Sequence, residues 1–108
     1  SADSAHRAQA LLMTNDLLER MRANRGALPL YAMTVSGECP EQAVENLPVL
    51  QQDRADFASA VTCQLPEGEA RVTVDQGVAR VLVRWSQARI SEQGTARLQL
   101  DVRIGAQP

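Results

Sequence analysis

Residues 69–85 read EARVTVDQGVARVLVRW, and the alternation in this stretch decides the fold. Apolar and polar side chains alternate along 69–75 and again along 78–85, which is the period of a half-buried β-strand. Gln76–Gly77 separates the two runs and suits a tight hairpin turn. One face of the predicted hairpin is therefore apolar, and it consists of Ala70, Val72, Val74, Ala79, Val81, Val83 and Trp85.

A third strand is predicted after a second turn at Gln93–Gly94. Residues 96–104 alternate in the same way, with charged or amide side chains on the outward face. Residues 69–105 are thus predicted to form a three-stranded antiparallel meander with one apolar and one solvated face. The inward positions of its last strand are Ala96, Leu98, Leu100, Val102 and Ile104.

Residues 1–25 predict a long N-terminal helix. Good helix formers run from Ala2 to Asn24 without glycine or proline, and Gly26 and Pro29 then end the pattern. Because the chain starts inside this pattern, we expect a truncated helix that continues upstream of Ser1. At 100° per residue one broad face is apolar and indicates a helix docked on a core: Ala10, Leu11, Met13, Leu17, Leu18 and Met21.

Residues 26–68 form an irregular region that holds four of the five prolines. The pattern is compatible with three short elements: an edge strand within 30–35, a helix from Pro40 to Glu45, and a helix from Asp53 to Gln64. Residues 1–108 are then one α+β domain, in which a long N-terminal helix packs on a small antiparallel sheet.

The composition excludes several classes of function. The 108 residues carry a net charge of -2, whereas binding to nucleic acid or to an anionic membrane needs a basic patch. Tyr31, Phe57 and Trp85 are the only aromatic residues, too few to stack the bases of a single strand. No run of 18 apolar residues occurs, so no transmembrane helix is predicted within this sequence.

Catalytic chemistry has few candidates. The single histidine, His6, falls on a predicted exposed helical turn, so a Ser–His–Asp or Cys–His site has no positioned base. Glu41 and Glu45 are spaced i, i+4, but a solvated face explains them better than an acid–base pair. No glycine-rich phosphate loop and no metal-binding spacing occurs. We therefore predict no enzyme activity, no cofactor and no metal site.

Two features of the N-terminal helix allow more than one interpretation. Arg20, Arg22 and Arg25 crowd its end, where cations interact favourably with the helix dipole, although a partner contact would also suit them. A second apolar stripe lies opposite the main face and consists of Ala5, Ala8 and Leu12. Either these are scattered surface residues, which are common, or the helix is contacted from two sides, by its own sheet and by a neighbour.

Cys39 and Cys63 are the only cysteines. In a cytosolic protein they would be two unrelated buried thiols, and in an exported domain they would form one disulfide. We favour the disulfide, which would tie the irregular region to the helix predicted before Leu65 and would stabilise the fold by about 3 kcal/mol.

The helix end resembles a family signature. Residues 7–10, RAQA, and residues 15–25, NDLLERMRANR, are similar to the R-x-Q-A and D-x-x-x-R-M-R-A-N segments of the PilV class of type IV pilus minor pilins. Cys63 before LPEG at 65–68, and the strand that ends in VLVRW at 81–85, also look like this family. The resemblance covers most of the chain, but only the helix end is specific.

The resemblance implies a structural subunit that takes part in type IV pilus assembly, as part of a minor-pilin priming or tip complex, and it links the protein to cell adhesion and twitching motility. It implies a pilin fold, an upstream leader and apolar segment anchored in the inner membrane, a periplasmic domain, and other pilins as partners through Ala5, Ala8 and Leu12. The fourth strand usual in pilins is not among the three predicted here. The alternatives are a minor pseudopilin of a type II secretion system and a small extracytoplasmic binding or adhesion module that uses the loop region 26–50.

Overall fold

The computed structural model describes residues 1–87 and 94–105. It has two α-helices, one 3-10 helix and four strands within these ranges. In chain order they are α1 (Ala2–Ala23), the 3-10 helix (Arg25–Tyr31), β1 (Met33–Val35), α2 (Val49–Gln64), β2 (Glu69–Asp75), β3 (Val78–Ser86) and β4 (Thr95–Arg103). Residue Gln93 of the predicted second turn lies outside the described residues.

The four strands form one antiparallel sheet in the order β1-β2-β3-β4. Val72 lies opposite Val81, and Val81 lies opposite Leu100, so the apolar positions of neighbouring strands coincide. Gln76 and Gly77 both have positive φ, 49° and 80°, as a type I′ hairpin turn requires. The predicted meander is confirmed, and β1 adds the fourth strand at its edge.

Both helices pack on the apolar face of this sheet. α1 contacts β3 and β4, α2 contacts β1 and β2, and the helices also contact each other. Trp85 and Tyr31 are the largest side chains buried in the core between these layers. The α+β fold predicted from the sequence, a long N-terminal helix packed on an antiparallel sheet, is therefore confirmed and is consistent with a pilin-like arrangement. α2 covers the half of the sheet that α1 does not reach.

Two predictions about burial were wrong in part. Leu11 was expected on the docked face of α1 but is 41% exposed, because it lies about 100° from Ala10, just outside the arc of the helix that meets the sheet. Leu98 and Leu100 are only half-buried, since they lie on β4, at one edge of the sheet. The other predicted helix positions, Ala10, Met13, Leu17, Leu18 and Met21, are buried.

The region between β1 and α2 also differs from its prediction. Residues 40–45 form no helix, because the chain there is fixed at Cys39 by a disulfide and beyond it by Gln52, and Asn46 adopts a left-handed φ of 64°. α2 begins at Val49, four residues before the predicted start, with Pro48 as its N-cap.

Candidate subunit-contact surface

The candidate surface is the stripe of Ala5, Ala8 and Leu12 on α1. All three residues are exposed, and the side chain of Leu12 is 70% accessible. They lie about 160–220° around the helix from Ala10, which is completely buried. One sheet cannot cover both sides of a helix, so the fold leaves this stripe uncovered.

The stripe is confined to the N-terminal half of α1. Leu11 extends it on one side, as its exposed fraction of 41% shows. One turn further on, the same side of the helix carries the exposed polar residues Asn15, Asp16 and Glu19. The apolar part of this surface is therefore a short patch of three or four residues and not a continuous seam.

Arg7 fixes the half of α1 that carries the stripe. Its guanidinium lies 5.4 Å from the centroid of the Trp85 ring, within the range of a cation–π interaction. Its Nη1 also donates a hydrogen bond of 3.2 Å to the backbone carbonyl of Arg97 on β4. Because Arg7 ties the helix to the sheet on its inner side, the stripe points outward on a well-anchored element.

A polar network centred on Arg20 fixes the other half of α1. Arg20 forms ion pairs with Asp16 on its own helix at 3.0 Å and with Asp53 and Asp56 of α2 at 3.2 and 2.8 Å. The Tyr31 hydroxyl donates a 2.6 Å hydrogen bond to Asp53. The sequence places Arg20 with Arg22 and Arg25 at the helix end and does not indicate the ion pairs between Arg20 and α2. These pairs are distant in sequence, and they form only when α2 packs against α1.

The pKa values of this network follow from its contacts. Hydrogen bonds from Arg20 and then from Gln52 lower the pKa of Asp56, and the hydrogen bond to Asp56 raises the pKa of Arg20. Burial, followed by the hydrogen bond to Asp53, raises the pKa of Tyr31. At neutral pH the network therefore holds Arg20 and Asp56 charged and Tyr31 neutral, the states in which its hydrogen bonds form.

Arg22 and Arg25 remain at the surface of the helix end. Arg22 pairs with Glu19 at 2.6 Å, and Arg25 donates to the Arg22 carbonyl at 3.4 Å. Both are local contacts, and only that of Arg25 reaches a backbone carbonyl at the helix end.

The disulfide between Cys39 and Cys63 is present, with the two Cα atoms 4.7 Å apart. It ties the loop after β1 to the C-terminal end of α2, as predicted. A second tie lies near the other end of the helix, where the Gln52 side chain donates to the Val44 carbonyl at 2.8 Å and accepts from the Leu47 amide at 3.1 Å. Residues 39–47, hereafter the strap, are therefore attached to α2 at two points.

Other sites of chemistry have little support in the described part of the chain. Across residues 1–87 and 94–105, no three histidine, cysteine or carboxylate side chains group as ligands for a metal ion. His6 is half-buried, not fully solvated as predicted, and its Nδ1 makes no hydrogen bond with the described residues. Glu41 and Glu45 are exposed. None of the described helices has the length and apolar character needed to cross a bilayer.

The fold defines the class of the protein, an α+β domain in which a long N-terminal helix packs on an antiparallel sheet. The side of this helix that faces away from the sheet carries the exposed apolar stripe. No protein-family model, curated protein or solved structure matches this chain.

Proposed function

We propose that this chain is the extracytoplasmic domain of a minor pilin of the PilV class, a structural subunit of a type IV pilus. Its partners are other pilins, which contact the N-terminal half of α1. An apolar segment upstream of Ser1 anchors the protein in the inner membrane before assembly, and the domain then lies in the periplasm.

The observation that carries the proposal is the exposure of Leu12. A leucine that is 70% accessible on a helix whose opposite side is buried forms an apolar patch with its neighbours in the stripe, and covering such a patch with another molecule is favourable. Ala5 and Ala8 flank it with small side chains, which allow a neighbouring helix to approach closely. The anchoring of α1 by Arg7 and Arg20 lowers the ordering cost of such a contact, because the surface is already formed.

The same observation supports a role in the packing of subunits. Packing of helices requires apolar area and rigidity, and α1 provides both. A minor pseudopilin of a type II secretion system would use the same helix surface, so assembly should be measured in both systems.

The substitution Leu12→Asp in the full-length gene product tests the proposal. It should strongly reduce incorporation into pili, because a carboxylate would enter an apolar helix contact without a partner. The melting temperature of the isolated domain should change little, since exposed substitutions usually stay within about 0.5 kcal/mol. The measurements are immunoblots of sheared pili and thermal unfolding.

Leu30→Asp is the matched control. Leu30 is 59% exposed but lies on the 3-10 helix, away from the stripe, so this variant should assemble normally. A photo-crosslinking residue at position 12 should join the subunit to another pilin, and one at position 30 should not. Normal assembly of Leu12→Asp, together with no crosslink from position 12, would contradict the proposal.

A further inference from the structure

A groove lies between the outer edge of β1, α2 and the strap. Its volume is about 540 Å³, within the range of ligand sites in proteins. It lies on the side of the sheet remote from β4, and α2 rather than α1 forms its floor. The groove is therefore a different surface from the stripe on α1.

The edge of β1 itself lines this groove. Four successive residues from Met33 to Ser36 contribute to the wall. Because successive side chains of a strand point to opposite faces, a wall that includes all four residues is formed by the backbone edge of the strand. In the described chain β1 pairs only with β2, so the backbone groups on its other edge have no strand partner. An unpaired edge of this kind is a template for the backbone of another extended chain.

The groove carries one charge of each sign, at opposite ends. Arg54 is half-buried on α2, and Glu38 precedes Cys39, whose disulfide partner is Cys63. Neither charged side chain has an ion-pair partner among the described residues. Positions 54 and 63 are about 13 Å apart along the helix axis, at 1.5 Å per residue.

An extended chain fits this charge pattern. A strand covers about 13 Å in four residues, and residues i and i+4 of a strand point to the same face. An occupant with an acidic and a basic residue four positions apart would place the acid near Arg54 and the base near Glu38. The strap is already held by the disulfide and by Gln52, so the groove does not have to form on binding.

We propose that this groove binds an extended segment of a partner polypeptide, which adds to the sheet as a strand antiparallel to β1 and carries a basic residue four positions before an acidic one. The antiparallel direction matches the rest of the sheet and is the slightly more stable pairing. β1 and α2 both run toward the Cys39–Cys63 disulfide, which is the end of the groove where Glu38 lies. A strand antiparallel to β1 therefore starts near Glu38 and ends near Arg54, so its basic residue comes before its acidic residue.

Two synthetic peptides of equal composition test the proposal. The forward probe is acetyl-Ser-Lys-Thr-Val-Thr-Asp-Ser-amide, and the reversed probe is acetyl-Ser-Asp-Thr-Val-Thr-Lys-Ser-amide. Titrations followed by the amide chemical shifts of ¹⁵N-labelled protein should move Thr34, Val35 and Ser36. The forward probe should bind at least about tenfold more tightly than the reversed probe, because only it pairs both charges.

A charge-swapped protein gives the reciprocal test. The double variant Arg54→Glu with Glu38→Arg has the same net charge and should prefer the reversed probe. A forward probe with N-methyl groups on two successive residues should lose binding, because one of the two amides must face β1. Equal affinity for both probes, no binding of either, an unchanged preference in the swapped protein, or full binding of the methylated probe would each overturn the proposal.

Discussion

The hydroxyl of Tyr31 lies 2.6 Å from Oδ2 of Asp53, and both residues are buried, with exposed fractions of 0% and 7%. Asp53 also accepts from Arg20 of α1, while the Tyr31 oxygen accepts a hydrogen bond of 3.0 Å from Asn24. These contacts join α1, the 3-10 helix and α2. The two helices are thus connected by a polar cluster and by apolar packing.

The substitution Tyr31→Phe should lower the free energy of unfolding by about 1.5–3 kcal/mol, because it leaves a buried carboxylate oxygen without its donor. Urea denaturation measures the effect. Asp101→Asn is the control, since it disrupts a bidentate pair with Arg80 on the solvated face of the sheet and should change stability far less. Equal losses in the two variants would mean that burial of the Tyr31–Asp53 pair has no energetic importance.

The pH dependence of stability should reveal Asp56. Its pKa is lower in the folded state than its ordinary value, so its contribution is complete above that ordinary value, about 4, and disappears as the pH falls through the folded pKa. Asp56→Asn should therefore be less stable than the unmodified protein at pH 7, and the difference in melting temperature should shrink below about pH 4. A difference that stays constant from pH 7 to pH 2 would contradict the role assigned to the Asp56 charge.

Removal of the disulfide by the double substitution Cys39→Ser with Cys63→Ser should lower the free energy of unfolding by about 3 kcal/mol in the chain-entropy model. The measurement is urea denaturation of the oxidised protein and of the variant. Thiol labelling of the denatured, unreduced protein should detect no free cysteine. Two free thiols in protein prepared under oxidising conditions would contradict the observed pairing.

Leu18 and Leu12 offer a matched comparison on one helix. Leu18 is 3% exposed and Leu12 is 70% exposed, so Leu18→Ala should cost about 2–5 kcal/mol and Leu12→Ala about 0.5 kcal/mol or less. Thermal or urea unfolding of the isolated domain measures both. A loss below about 0.5 kcal/mol for Leu18→Ala would mean that the docked face of α1 is not closely packed.

Gly68 has a steric role at the junction of α2 and β2. A Cβ atom at this position would overlap the backbone carbonyl of Val61, so Gly68→Ala should destabilise the fold by about 1–3 kcal/mol. At Gly26 an added Cβ meets nothing within 4 Å, and Gly26→Ala should leave the unfolding midpoint close to its original value. Similar midpoints for the two variants would show that the chain relaxes easily around residue 68.

The sequence predicted the meander well, because its side chains report directly which face is buried. β2 was predicted with its observed bounds, and β3 and β4 within one residue at each end. The helical spine was predicted for the same reason, since α1 has one regular apolar face. The burial of Leu11 was predicted wrongly because Leu11 lies at the border of that face. The periodicity of the sequence shows that it adjoins the apolar face, but not whether the sheet extends far enough to cover it.

The loop region was harder to predict, because its conformation depends on distant contacts. The prediction of a helix at residues 40–45 did not take into account that the chain is held at Cys39 and by Gln52. Gln52 bonds to backbone atoms of Val44 and Leu47, and such contacts do not depend on the side chains at those positions, so the sequence does not indicate them. Of the candidate surface, the sequence identified Ala5, Ala8 and Leu12. It did not reveal the groove, whose walls come from three separate segments.

The strand order has a consequence for how the domain folds. β2, β3 and β4 are neighbours in both sequence and space, whereas β1 reaches β2 only after the strap and α2 have intervened. Contacts that close a long loop form later than local hairpins. We therefore expect β1 to join last, and its amide protons, such as that of Val35, to exchange with solvent before those of β3. β1 would thus open separately from the rest of the sheet, on a time scale that hydrogen exchange can resolve.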